Sequence, residues 1–153
     1  MKHENKKTLE LLNNNFRLLQ ESLYALSLSV KKVKTILPKK EYSFEEMESF
    51  DSLTSRFSRS ADIYTQKVLR TIWMLLHEPY DPFIDMMNKA EKMHLIESAD
   101  VLIEIRDLRN QITHEYIPEA IQQLVPEVIR LASQLEENVE YTQRFMEERG
   151  WNI

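Results

Sequence analysis

The chain has 153 residues, a formal net charge of −5, one glycine, five prolines and no cysteine. That length suffices for one domain, residues 1–153, with a real core. The missing cysteine excludes disulfides, thiol catalysis and cysteine-based zinc sites. The acidic balance argues against a general nucleic-acid coat, though a local basic track remains compatible with it. No apolar run approaches about 18 residues and no signal-peptide core follows the N-terminus, which predicts a soluble cytoplasmic protein with no membrane span.

So few turn residues predict a few long helices. The first spans residues 5–37, where Leu9, Leu12, Phe16, Leu19, Leu23, Leu26, Val30, Val33 and Leu37 alternate steps of three and four. That is a sustained heptad seam, and Pro38 stops it. The second starts at Ser43, because Ser43-Phe44-Glu45-Glu46 reads as a capping box. It runs to the residues before Pro79, with Asp51 as a candidate break. Its inner face is Phe50, Leu53, Phe57, Ala61, Tyr64, Val68, Ile72 and Leu75. Pro79-Tyr80-Asp81-Pro82 is the clearest loop, with Asp81 as the cap of a short helix over 82–92. Ser98 caps a fourth helix over 99–116, which Pro118 ends or bends. The last helix covers 118–149, is open to a kink at Pro126 and stops at Gly150. Four long helices joined by short loops, plus one short helix, predict an all-α antiparallel four-helix bundle.

The chemistry concentrates in Arg109-Asn110-Gln111-Ile112-Thr113-His114-Glu115-Tyr116. Arginine can stabilise a pentavalent phosphate, and histidine can move a proton near neutral pH. On a wheel of about 100° per residue with Arg109 at zero, Val101, Ile105, Leu108 and Ile112 form the core face. Leu102 and Tyr116 border it. Ile103, Arg106, Asp107, Asn110 and His114 lie on the opposite side. A core histidine would sit on the apolar face, so His114 is either solvent-exposed or part of a second buried surface. Ile103 on the same arc points to the latter, and a homodimer interface is the simplest form of it. Arg109 and His114 stand about 140° apart. They converge through a wrapped arginine stem or across a two-fold axis.

Arg109-Asn110, then His114 and Tyr116 after the same spacing, resembles the defining motif of HEPN-domain proteins of the HepT-like branch. That branch holds toxins of toxin–antitoxin pairs and small substrate-binding subunits of nucleotidyltransferases. The segment Phe50-Asp51-Ser52-Leu53-Thr54-Ser55-Arg56-Phe57, followed by Asp62 and Gln66-Lys67-Val68-Leu69-Arg70, is similar to the second helix of that family. The resemblance covers essentially the whole chain. It implies a HEPN-like bundle, a homodimer with the motif at or near its interface, and a metal-independent ribonuclease with no cofactor. His114 would then be the acid/base, Arg109 would hold the phosphorane charge, and Asn110 would orient the phosphate or its neighbours. The substrate would be an RNA such as tRNA or mRNA. Tyr116 matches the tyrosine that a cognate nucleotidyltransferase antitoxin silences by adenylylation (AMPylation). Some relatives are only partner subunits, so a non-catalytic substrate-binding subunit is the second reading. A dimerisation module with a vestigial motif is the third.

Arg56, Arg59, Lys67 and Arg70 fall within about 80° on the second helix, away from its core face. They form either a solvated face or a track for RNA phosphates or an acidic partner. Ile63 and Met74 share that arc, and Asp62 borders it, placed to hold one of these arginines. Lys31, Lys32, Lys34, Lys39 and Lys40 suit a helix C-terminus for dipole reasons. His3, His77, His94 and His114 have no metal-ligand spacing, so no metal site is predicted. The paired acids read as solvated faces, and there is no glycine-rich phosphate loop. Trp73 and the tail Trp151-Asn152-Ile153 read as packing or interface residues.

Overall fold

The computed structural model describes the backbone of residues 2–79 and 81–152, with side chains from Asn5 onward. Tyr80 of the predicted loop, Ile153 of the tail and the His3 side chain lie outside the described residues. Among the described residues every regular element is helical, and none of these helices is long and apolar enough to cross a membrane.

Helix α1 spans Lys2–Ile36. Leu12, Phe16, Leu19, Leu26 and Val33 of the heptad seam are buried, while Leu9, Leu23, Val30 and Leu37 pack at the margin of the core. Helix α2 spans Phe44–Asp62 and opens on the predicted capping box. Ser43 Oγ accepts from Glu46 N at 3.2 Å, and Glu46 Oε1 accepts from Ser43 N at 2.9 Å. The helix passes Asp51, the candidate break, without interruption.

The predicted second helix does continue to Leu75, but not as one α-helix. Residues Ile63–Val68 form a π-helical stretch, and α3 follows over Leu69–Leu75. Backbone angles stay helical at both joins, and Leu69 N–H reaches back to the carbonyl of Tyr64. A π turn holds an extra residue relative to an α turn. Side chains after it are therefore rotated against a 3.6-residue wheel.

Helix α4 spans Phe83–Lys92 with no side-chain cap. Asp81 does not cap it: the helix starts one residue later than expected, with Pro82 in the N-cap position, and the Asp81 carboxylate accepts from Lys89 Nζ at 2.5 Å. Helix α5 spans Ala99–His114 and is capped by Ser98, whose Oγ accepts from Val101 N at 3.3 Å. It ends two residues earlier than expected. Pro118 disfavours helical backbone at Ile117, and the extended conformation reaches back to Glu115. Helix α6 spans Pro118–Glu148, with proline in its first turn, and continues through Pro126. Gly150, at φ 66°, terminates it in the left-handed conformation that glycine adopts without strain.

Helix α1 lies along α2 and α3; α2 also packs on α6, and α5 packs on both α6 and α2, with α4 beside α5. One hydrophobic cluster runs through these contacts, with Phe50, Phe57, Tyr64, Leu102 and Ile105 fully buried. A polar node inside it sets where α5 begins. Asn138 Oδ1 on α6 accepts from Glu97 N at 2.9 Å and Ser98 N at 3.1 Å. Its carbonyl lies 3.1 Å from the Tyr64 hydroxyl, which is also 2.7 Å from Thr142 Oγ1. Burial holds the Tyr64 phenol well above its ordinary range, so it stays a neutral hydrogen-bonding group. Asn138→Ala would orphan two backbone N–H groups in a partly buried turn. The expected cost is about 2 kcal/mol or more, read as a lower denaturant midpoint with an unchanged slope.

Candidate functional site

Arg109 sits one turn before the end of α5 and points at the junction of α2 with the π stretch. Its Nε donates to Asp62 Oδ1 at 2.8 Å and its Nη2 to Asp62 Oδ2 at 2.8 Å. Its Nη1 donates to Thr113 Oγ1 at 3.0 Å, and that hydroxyl donates to the Arg109 carbonyl at 3.0 Å. This is the planar, two-pronged pairing that a guanidinium makes with a carboxylate. The hydrogen bonds to Asp62 raise the guanidinium above its already high ordinary pKa, so it is a permanent cation. An arginine carries five N–H donors. Three are engaged here, which leaves two for a ligand without breaking the clamp.

The clamp stands between two clefts. On one side, a cleft of about 360 Å³ is lined by Arg109, Asn110 and Arg106 of α5, Asp62 of α2, Thr65 and Gln66 of the π stretch, and Phe83 of α4. On the other, an open cleft of about 570 Å³ is lined by Ser55, Ser58, Arg59, Asp62, Lys67 and Thr113, among others. Asp62 thus belongs to both.

The predicted site residues separate into groups. Arg109 and Asn110 share the first cleft. His114 is the last residue of α5, exposed and outside both clefts. Neither cleft is lined by both Arg109 and His114. Tyr116 was placed beside the core by the wheel; it is instead 86% exposed, because the helix ends before it and the wheel no longer applies. Ile103 is half-buried, whereas Asn110 is exposed.

The basic stripe of the second helix is not a single stripe. Arg56 turns inward, where its Nη1 donates to the Ala25 carbonyl at 3.1 Å and to Ser29 Oγ at 2.8 Å. It ties α2 to α1 and is not an exposed phosphate ligand. Arg59 and Lys67 are exposed and line the open cleft. Arg70 lines a different cavity, toward α4. Ile63, expected on the exposed arc, is buried, whereas Met74 on that arc is exposed. Of these residues Arg70 and Met74 lie beyond the π stretch of Ile63–Val68, across which a wheel of about 100° per residue cannot be carried.

Asp62 was expected to hold an arginine of its own helix and holds Arg109 instead. Thr113 carries a legible signal, since it lies four residues after Arg109 on the same helix. Thr65, Gln66, Arg106 and Phe83 had none: they meet only because α4 folds back beside the π stretch. Among the described residues no cluster of three histidine, aspartate or glutamate side chains could hold a metal ion. Trp73 is buried, and Trp151 packs edge-on to Phe145 with ring centroids 5.9 Å apart.

Fold and site together define an all-helical protein with an arginine–carboxylate clamp between two clefts. No family model, curated protein or solved structure matches the chain.

Proposed function

We propose that this chain is the toxin subunit of a HEPN/nucleotidyltransferase pair, a cytoplasmic, metal-independent endoribonuclease silenced by adenylylation of Tyr116. In this reading α1, the α2–α3 rod, α5 and α6 are the four helices of a HEPN bundle, and α4 is the short extra one. The observation that carries it is Arg109, locked by Asp62 and Thr113 with two N–H groups to spare, beside Asn110 in one cleft. A phosphate on those two N–H groups gains charge-assisted bonds that strengthen as the phosphorane forms. His114 takes the proton of the ribose 2′-hydroxyl as that oxygen attacks phosphorus. The protonated imidazole then serves the departing 5′-oxygen. The products are a 2′,3′-cyclic phosphate and a 5′-hydroxyl end.

Because His114 lines neither cleft, the reading calls for a second copy to complete the site. A two-fold contact over Ile103, Asn110 and His114 would bring one protomer's His114 toward its partner's cleft. Light scattering should report a dimer at micromolar concentration, and a monomer there would refute the shared site.

The purified chain incubated with RNA in excess chelator should yield cyclic-phosphate ends. Cleavage that stops with chelator and returns with magnesium would contradict the chemistry. Asp62 is a positioning residue in this scheme. Asp62→Ala should lower turnover by about 10²-fold, the scale of a misplaced reacting group. Asp62→Glu should recover part of it, and an unchanged rate in Asp62→Ala would show that the clamp is only structural.

A second reading has an observation of its own. Asp62 neutralises Arg109 locally, which suits a non-catalytic partner subunit of a nucleotidyltransferase. Growth arrest on expressing the chain alone separates the two, since only a toxin would cause it.

A further inference from the structure

The α3–α4 side of the molecule holds a cavity of about 540 Å³, within the range of ligand sites. Its apolar walls include Leu69, Trp73, Phe83, Met86, Met87 and Ala90, all core residues except half-buried Phe83, and the charged Arg70 and Asp81 also line it. An apolar chamber with two aromatic rings would ordinarily be filled by the chain's own side chains. This one keeps an unfilled volume beside the Arg109 cleft: Thr65, Gln66, Phe83 and Arg106 line both. At that shared wall the Arg106 guanidinium stands over the Phe83 ring, 4.8 Å from its centroid. Arg106 and Arg109 lie three residues apart on α5, so their Cβ atoms are roughly 5–6 Å apart. That is the scale on which a ribose separates a base from its phosphate.

We propose that this cavity is a nucleobase subsite: one base of the ligand enters it while the phosphate attached to that nucleotide lies on Arg109 and Asn110. The chemistry of the walls favours such an occupant. Bases stack on aromatic rings and on guanidinium planes, and the shared wall carries one of each. A flat heteroaromatic ring suits apolar walls, and the exposed Gln66 amide at the rim offers both a donor and an acceptor to its edge. A purely aliphatic ligand would leave these polar groups unanswered, and a compact anion would leave the apolar chamber empty. The subsite rests on the nucleic-acid reading of the Arg109 cleft and adds to it the means by which the chain chooses a nucleotide.

The test is binding without chemistry. A short 2′-O-methyl single strand, which cannot be cut by 2′-hydroxyl attack, is titrated against the full chain by fluorescence anisotropy. It is compared with the same backbone made abasic throughout. Loss of one stacked base should weaken binding by about 5- to 150-fold, corresponding to ~1–3 kcal/mol. Phe83→Ala and Arg106→Ala should each shrink that difference. Arg106 is half-exposed, so its variant keeps the test valid should removal of Phe83 loosen α4. Equal affinity for both strands would overturn the subsite, as would a difference that survives intact in both variants. No binding of either the strand or a nucleoside monophosphate would overturn it too. Competition by a nucleoside monophosphate would identify a free nucleotide as the occupant, whereas base-dependent strand binding without such competition would identify RNA. Base-dependent binding by a chain that cuts no RNA would refute the nuclease while leaving the subsite standing.

Discussion

Replacing His114 or Arg109 by alanine is expected to cut RNA cleavage by about 10²–10⁴-fold, the range for loss of a general acid–base group. The fold should survive both changes. His114 is exposed at the end of α5, so its loss opens no cavity. Arg109 is only half-buried, and without it Asp62 keeps contact with water through a side chain that is 41% exposed. The carboxylate is therefore not stranded in an apolar site, and the melting temperature should move little. The two variants should nevertheless differ. His114→Ala removes proton transfer and should lower kcat with RNA affinity nearly intact. Arg109→Ala removes a phosphate ligand, and with it the partner that orients Asp62, so binding and turnover should fall together. Mixing the two inactive variants gives a sharper result. If the site is shared across a two-fold axis, a mixed dimer contains one site with both groups, and activity should return to about a quarter to a half of wild type by subunit counting. Wild-type rates in either single variant would remove those residues from the chemistry.

Much of the fold was legible because it rests on periodicity. The steps of three and four from Leu9 to Leu37 place the α1 core, and the Ser43 and Ser98 caps mark two helix starts. Those signals are local, and each is set by a few neighbouring residues. The failures came where a local rule met a tertiary constraint. Nothing in Ile63-Tyr64-Thr65-Gln66-Lys67-Val68 distinguishes a π stretch from an α-helix by composition. Arg70 follows that stretch and turns toward α4, whereas Arg56 precedes it and turns to α1 for its hydrogen bonds with Ala25 and Ser29. Asp81 had the composition of a cap, but Pro82 takes the N-cap position and Asp81 pairs with Lys89. At the site, the Arg109 motif was visible as spacing. The Asp62 clamp was not, since it joins residues 47 positions apart. Sequence distance hides such a pair until α5 is known to lie against the rod.

Tyr116 should be the control point of the nuclease, and its placement sharpens the expectation. It follows the end of α5 in extended backbone, between Glu115 and Ile117, with 86% of its surface exposed. A phenol held so far from the core can enter the active site of a modifying enzyme without local unfolding. Extended backbone beside it also suits capture by a partner, because its peptide groups are not all committed to a helix. The flanking Ile117 is 59% exposed and gives such a partner an apolar foothold. Adenylylation would add a phosphodiester anion and a base two residues after His114. The nucleotide would occupy space that RNA needs, and its anion would repel the RNA backbone. With ATP and the cognate nucleotidyltransferase, the wild-type chain should gain about 329 Da or a multiple of it, the mass of AMP units joined through an ester. Cleavage should fall in step with the modified fraction. Tyr116→Phe should cut RNA at nearly the wild-type rate, gain no mass and escape silencing. The same mass gain on Tyr116→Phe would move the modification elsewhere, and full modification of wild type with undiminished cleavage would separate Tyr116 from control of the nuclease altogether.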